Sequence, residues 1–193
     1  MTDPEMKVVL PFWADSFLTE YQSHRFVSDR EKIMLAIELS RLNIQYGTGG
    51  PFGAAIFSHN GGKLLSIGIN LVTNVNCSVA HAEMVAIITA QNTINNFDLS
   101  RLEGGCEMAT STEPCCMCMG GVMWSGISRI LCGATDADAR EAGFDEGPKP
   151  KNWKDEYINR GIKVETELCR ERAREVLMDY KNNGGKIYNP DRS

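Results

Sequence analysis

Two short stretches of the chain supply side chains that bind metals and move protons. Cys115 and Cys118 lie three residues apart directly after Pro114, which suits the first turn of a helix. A helix N-terminus favours negative charge and therefore thiolates, the form of cysteine that binds zinc. Upstream, His81 and Glu83 are predicted to begin another helix, from which first-turn side chains lean past the helix end. His81 and the two cysteines leave a fourth tetrahedral position for water, the open geometry of a catalytic zinc site.

Glu83 is predicted to act on the water and not on the metal. Zinc lowers the pKa of its bound water to about 7, which provides a hydroxide at neutral pH. Because Glu83 is two residues from His81, its carboxylate can hydrogen-bond the water without binding the metal, take its proton and pass it on. Cys116 does not share a helix face with Cys115 and Cys118, so it is not expected to be a ligand. The prediction is one Zn²⁺ per subunit, with water or hydroxide as fourth ligand.

The order His81-x-Glu83 followed by Pro114-Cys115-x-x-Cys118 resembles the signature of the cytidine deaminase-like zinc deaminases. Within that superfamily the chain is most similar to the small bacterial guanine deaminases, over roughly residues 30–150. Trp124 and the run from Asp138 to Asp145 also carry the similarity. The resemblance implies hydrolysis of guanine to xanthine and ammonia.

The resemblance also implies a set of substrate contacts. Asn70, eleven residues before His81, matches an asparagine that hydrogen-bonds the base; a turn at a strand end is the alternative. Glu146 stands where the family often has a catalytic aspartate at the substrate, although a solvated acidic loop would have the same composition. Tyr188 could match an aromatic residue of the C-terminal tail that these enzymes bring to the neighbouring subunit's site. The remaining expected contacts to the base are Phe52, Ala82, Trp124 and Phe144.

Alternating strand and helix patterns predict an α/β fold. We expect a three-layer α/β/α sandwich around a central mixed sheet of about five strands, the cytidine deaminase-like fold. The predicted strands are 54–58, 64–69, 106–112, 127–133 and 163–169. A Ser-x-x-Glu capping box at Ser28 opens a helix ending near Tyr46, and an amphipathic helix is predicted over 171–181. Residues 135–150 are expected to form a loop with one helical turn.

The chain divides into three predicted parts. Residues 1–28 form an N-terminal extension, 29–150 the zinc deaminase core, and 151–193 a C-terminal strand, helix and tail. In the resembling guanine deaminases this last segment is exchanged between the subunits of a homodimer, which is the assembly we expect here.

Composition indicates which partners and which cell compartment to expect. A net charge of −5 argues against a nucleic-acid partner, and the resemblance implies a small nucleobase as substrate. Seven cysteines without a recognisable secretory leader favour the cytoplasm over a disulfide-bonded secreted protein. No apolar run approaches the ~20 residues that a membrane helix needs.

Three alternatives stay open at this point. A tRNA adenosine deaminase (A to I editing) shares the same motifs but needs a basic surface for its RNA. A cytosine or cytidine nucleotide deaminase also shares them. A non-catalytic structural zinc module would require a fourth protein ligand in place of water.

Overall fold

The computed structural model describes residues 8–189 of the 193-residue chain. Its centre is a five-stranded sheet in the order β2-β1-β3-β4-β5. The strands are β1 (Gly53–Ser58), β2 (Leu64–Ile69), β3 (Cys106–Thr112), β4 (Arg129–Ala134) and β5 (Lys163–Glu165). β1 runs antiparallel to β2 and β3, whereas β3, β4 and β5 are parallel. The prediction of a mixed sheet of about five strands is confirmed.

Helices cover both faces of this sheet. They are α1 (Phe12–Tyr21), α2 (Asp29–Gln45), α3 (Ala82–Ile94), α4 (Cys116–Ser125), α5 (Asp136–Ala142), α6 (Trp153–Ile158) and α7 (Arg170–Asn182). One apolar cluster is formed mainly by α1, α2 and α7 against the sheet, and the other by α3, α4 and α6. Strand β1 contributes to both, because Ala55 and Phe57 point one way and Ala54 and Ile56 the other. The three-layer sandwich follows from this alternation.

Local signals set several element boundaries as predicted. The Ser28 side chain accepts the Glu31 N–H at 3.2 Å, and a Glu31 carboxylate oxygen accepts the Ser28 N–H at 2.9 Å. This reciprocal pair is the predicted capping box of α2. The ends of β2 and β3 also coincide with those expected.

Three elements after β4 differ from those predicted from the sequence. Residues 135–150 contain the two-turn helix α5, which begins at a second capping box between Thr135 and Asp138. Helix α6 was not anticipated; its Trp153 and Tyr157, four residues apart, bury one face. Strand β5 ends at Glu165 and does not reach residue 169. Left-handed backbone at Glu167 (φ 63°) and Cys169 (φ 53°) prevents a continuous strand there.

Among residues 8–189, no helix has both the length and the apolar character required to cross a membrane.

Candidate active site

Two helix starts bring the predicted metal ligands to the same end of the sheet. His81 precedes α3 and Cys115 precedes α4, and each is the N-cap residue with extended backbone, ψ 157° and 171°. Pro114 therefore lies before the helix and not in its first turn, because Cys115 is not yet helical. The Sγ of Cys115 lies 3.5 Å from Nδ1 of His81. The ligand atoms of His81, Cys115 and Cys118 all lie within 4.8 Å of one another.

This cluster has the donors and the size for a zinc ion. Zinc bonds of about 2.3 Å to sulfur and about 2.0 Å to nitrogen place tetrahedral ligands closer than 4 Å to each other, within the observed spacing. A hydrogen bond from Cys118 and the neighbouring His81 lower the pKa of Cys115 to about 4. The same hydrogen bond, together with burial, raises the pKa of Cys118. A cation between the two sulfurs would replace the proton that they share.

Two buried carboxyl groups face the cavity beside this cluster. Glu83 and Glu146 are 7% and 5% exposed, and both line a cavity of about 320 Å³. Burial, with the nearby charge of Cys115, raises the pKa of Glu83 to about 7. Burial and the same charge raise the pKa of Glu146 to about 8. Carboxyl groups that titrate near neutrality are suited to proton transfer.

Aromatic rings form one wall of the cavity. Phe52 and Phe144 meet edge to face with centroids 4.8 Å apart, and Phe144 lies 5.3 Å from Tyr188. Tyr188 belongs to the same chain as the cavity that it lines. A β-carbon added at Gly50 would lie 2.6 Å from the Tyr188 hydroxyl, so the ring sits directly on that backbone. Flat apolar walls of this kind suit a planar heterocycle.

Two polar groups of the cavity are buried without a partner in the described part of the chain. They are Nδ2 of Asn70 and the hydroxyl of Tyr188. The Oδ1 of Asn70 accepts the Val72 N–H at 3.3 Å, and Nδ2 of Asn43 donates to Asn70 O at 2.8 Å, which holds the residue in place. An unpaired buried donor costs free energy, so these groups indicate a ligand that completes their hydrogen bonds.

Two of the expected substrate contacts lie elsewhere. Trp124 is 89% exposed, so the prediction that it walls this chain's cavity is wrong. On α4 it lies two residues from the fully buried Val122, hence on nearly the opposite face. The Ala82 side chain is fully buried in the apolar cluster between α3 and the sheet, away from the cavity lining.

The cavity also includes residues that the sequence did not single out. Asn189 is the clearest case, since its Oδ1 accepts the Asp145 N–H and its Nδ2 donates to Gly143 O, each at 2.9 Å. The two bonds bracket Phe144. Only the position of Asn189 beside Tyr188 could have indicated it. The other lining residues for which no contact with the base was predicted are Val72, Ser78, Glu113, Cys116, Met117, Asp145, Gly147 and Pro148.

Comparisons with known proteins agree with this geometry. Residues 27–134 match the family model of the cytidine and deoxycytidylate deaminase zinc-binding region. The guanine deaminase of Bacillus subtilis (strain 168) is 38% identical over 111 residues, 58% of this chain and 67% of that protein. A tRNA-specific adenosine deaminase of Buchnera aphidicola subsp. Schizaphis graminum is 27% identical over 136 residues, 69% of this chain and 81% of that protein. A solved variant of NE0047 in complex with 8-azaguanine is 37% identical, with a TM-score of 0.86 over 95% of this chain and 99% of that one.

Proposed function

The chain belongs to the cytidine and deoxycytidylate deaminase zinc-binding family, and on that premise we propose that it hydrolyses guanine to xanthine and ammonia. One observation carries the proposal: His81, Cys115 and Cys118 converge beside an aromatic cavity that also holds the unpaired amide of Asn70. The likeness to a guanine deaminase and to a protein that binds 8-azaguanine supports the choice of base.

The metal ligands and Glu83 have distinct roles in this reaction. His81, Cys115 and Cys118 would hold the zinc ion, which when bound would supply an activated water at neutral pH. Glu83 takes a proton from the attacking water and delivers it to a ring nitrogen of the base. It then takes the proton of the added hydroxyl group and gives it to the amino group, which leaves as ammonia while the carbonyl forms. Its pKa of about 7 allows it to be loaded and unloaded at neutral pH.

The other polar groups recognise the base. The Asn70 amide donates from Nδ2 to an acceptor on the ring edge, while Glu146 accepts from ring N–H groups and provides a second proton-holding site. Guanine presents adjacent N–H donors at its pyrimidine edge, which match a carboxylate; adenine and cytosine lack that pair of donors. Phe52, Phe144 and Tyr188 enclose the flat ring.

The other candidate functions are less well supported. A tRNA substrate needs basic surface for its phosphates, and the chain has 20 Lys and Arg against 25 Asp and Glu. A closed structural zinc site needs a fourth ligand, while the cluster found in the described residues offers three. Ammonia release measured with guanine, guanosine, adenine, cytosine, cytidine, dCMP and tRNA tests the proposal. Activity confined to a pyrimidine or to tRNA would contradict it.

We further propose a homodimer formed through α3 and α4. Helix α4 and the first two turns of α3 are apolar on nearly all sides, and such helices are normally buried. Their outward residues include the half-buried Met84 and Ile88 and the exposed Trp124. Because Tyr188 reaches the cavity of its own chain, this dimer does not require an exchanged tail.

Trp124→Glu tests the dimer. A charge in an apolar interface is expected to shift the protein to monomer, measured by light scattering coupled to size-exclusion chromatography. Phe97→Glu, at an equally exposed aromatic residue beyond the end of α3, is the matched control. A Trp124→Glu protein with wild-type mass in solution would rule out this interface.

The proposal extends to chain organisation and compartment. Residues 29–150 carry the metal ligands and Glu83, the described part of 1–28 packs as an extension, and Tyr188 and Asn189 of the C-terminal part 151–193 complete the cavity. The predictions for 1–7 and 190–193 lie outside the described residues. A reducing cytoplasm suits the seven cysteines, all of which are free thiols.

A further inference from the structure

The loop of residues 143–150 crosses the mouth of the cavity and carries Glu146. Hydrogen bonds to the loop's own carbonyl groups hold it at Glu146 and at Gly147. The Cys116 N–H donates to Glu146 O at 3.0 Å, and Nη2 of Arg140 donates to Gly147 O at 2.9 Å. Gly147 lies so near Cys116 that an added β-carbon would be 2.3 Å from its sulfur. The backbone at Glu146 is therefore pressed against the first turn of α4.

Lys149, at the far end of this loop, is a buried cation. Its side chain is 5% exposed, and Nζ lies 3.0 Å from Oε2 of Glu113 and 3.8 Å from Oδ1 of Asp136. Nζ also lies 4.3 Å from the centroid of the Trp153 ring. A lysine is almost never this buried unless it is paired, so the geometry of these partners determines where the loop can lie.

Glu113 gives Lys149 a fixed anchor at the end of the sheet. The Glu113 N–H donates to Ala134 O at 2.8 Å, and its Oε2 also accepts the Asp136 N–H at 3.2 Å. Glu113 leads directly into Pro114 and Cys115. The ion pair therefore ties the crossing loop to the segment that holds the metal ligands.

We propose that Lys149 is a positioning residue, which through its ion pair with Glu113 holds the loop so that the carboxylate of Glu146 faces the base. This rests on the proposed function, in which Glu146 contacts the base. Without the Lys149 charge, Glu113 is left buried without its cation and must move toward water. The loop is then no longer fixed at its far end, and the Glu146 side chain loses its orientation toward the base.

Lys149→Met in the zinc-loaded enzyme tests the inference by separating binding from chemistry. We expect KM for guanine and the dissociation constant of 8-azaguanine to rise about tenfold, with kcat reduced by less than about threefold and zinc content unchanged. In a Glu146→Gln background the same substitution should add less than about twofold, because Lys149 acts through Glu146. Lys149→Arg should recover most of the lost affinity.

Lys151→Met is the matched control, since Lys151 is an exposed lysine two residues away, and it should leave all four quantities unchanged. Equal losses from Lys149→Met with and without Glu146 would overturn the inference, as would wild-type affinity in the single variant. If Lys149→Met does not fold, Lys149→Gln, which keeps a donor for Glu113, replaces it. Loss of zinc in both would assign the ion pair to the metal helix and not to Glu146.

The test does not depend on guanine being the substrate. If the unaltered enzyme deaminates another base, the proposed function fails, while the same comparison of variants on that base still tests Lys149.

Discussion

Both ends of strand β3 bury charge: the beginning pairs all of it, whereas the other end keeps unpaired polar groups in the cavity beside the Lys149–Glu113 ion pair. At its beginning, Glu107 is 2% exposed and fully paired: Lys32 Nζ lies 2.7 Å from one carboxylate oxygen and Arg129 Nη1 lies 2.9 Å from the other. Asp29 then pairs with Arg129 at 2.7 Å, and His59 lies 3.7 Å from Glu107. At the other end, Asn70 and Tyr188 have buried polar atoms without partners, and Glu83 titrates near neutrality.

The difference indicates that the groups that stabilise the fold and the groups that react lie at opposite ends of the same strand. Paired charges at the start of β3 hold α2 and β4 to the sheet and leave nothing free to react. Unpaired groups at its other end carry a free-energy cost, which a metal ion and a base can remove when they bind. Substitutions at the two ends should therefore have opposite signatures in activity and in stability.

Glu83→Gln should give the largest effect, and on activity alone. Loss of the proton carrier is expected to lower kcat about 10³-fold, or about 4 kcal/mol in activation free energy. Zinc content and the free energy of unfolding should stay close to the original values, because a neutral amide replaces a carboxyl group that burial already disfavours in its charged form. Steady-state ammonia release, metal analysis and urea denaturation measure these quantities. A Gln variant with a nearly unchanged rate would remove Glu83 from the mechanism.

Glu107→Gln makes the same chemical change at the opposite end and should give the reverse result. Removing one member of a buried ion network leaves Lys32 and Arg129 uncompensated, which is expected to lower the free energy of unfolding by about 3 kcal/mol. Turnover per folded, zinc-loaded molecule should change less than about twofold. If activity instead fell as far as in Glu83→Gln, the two ends would not be independent.

Asn70→Ala should give the smallest of the three effects. Losing the amide that meets the base is expected to lower kcat/KM about tenfold, or about 1.4 kcal/mol, mainly through KM. Stability should stay within about 1 kcal/mol, because the substitution removes a buried unpaired donor together with one hydrogen bond to Val72. A large loss of stability with unchanged KM would support the alternative that Asn70 only closes a turn.

The parts of the site that sequence could predict are those set by local structure. His81 and Cys115 occupy the N-cap positions of their own helices, so motif spacing alone was enough to bring them to the helix ends. Lys149 and Glu113 are 36 residues apart, and nothing in either segment indicates the other. Trp124 was misplaced because an apolar residue on an apolar helix gives no sign of which face is covered. The early end of β5 was not predicted, because the residues with left-handed backbone that follow it are Glu167 and Cys169. Neither is a glycine, so the sequence gives no sign of that conformation.

The parts of the cavity are not synthesised together, because Tyr188 and Asn189, which pack around Phe144, lie near the C-terminal end of the described residues. His81, Cys115 and Cys118 are translated well before Tyr188 and Asn189, which supply the last ring of the wall and the bonds to Gly143 and Asp145. A growing chain therefore has all three metal donors before it has a closed pocket for a base.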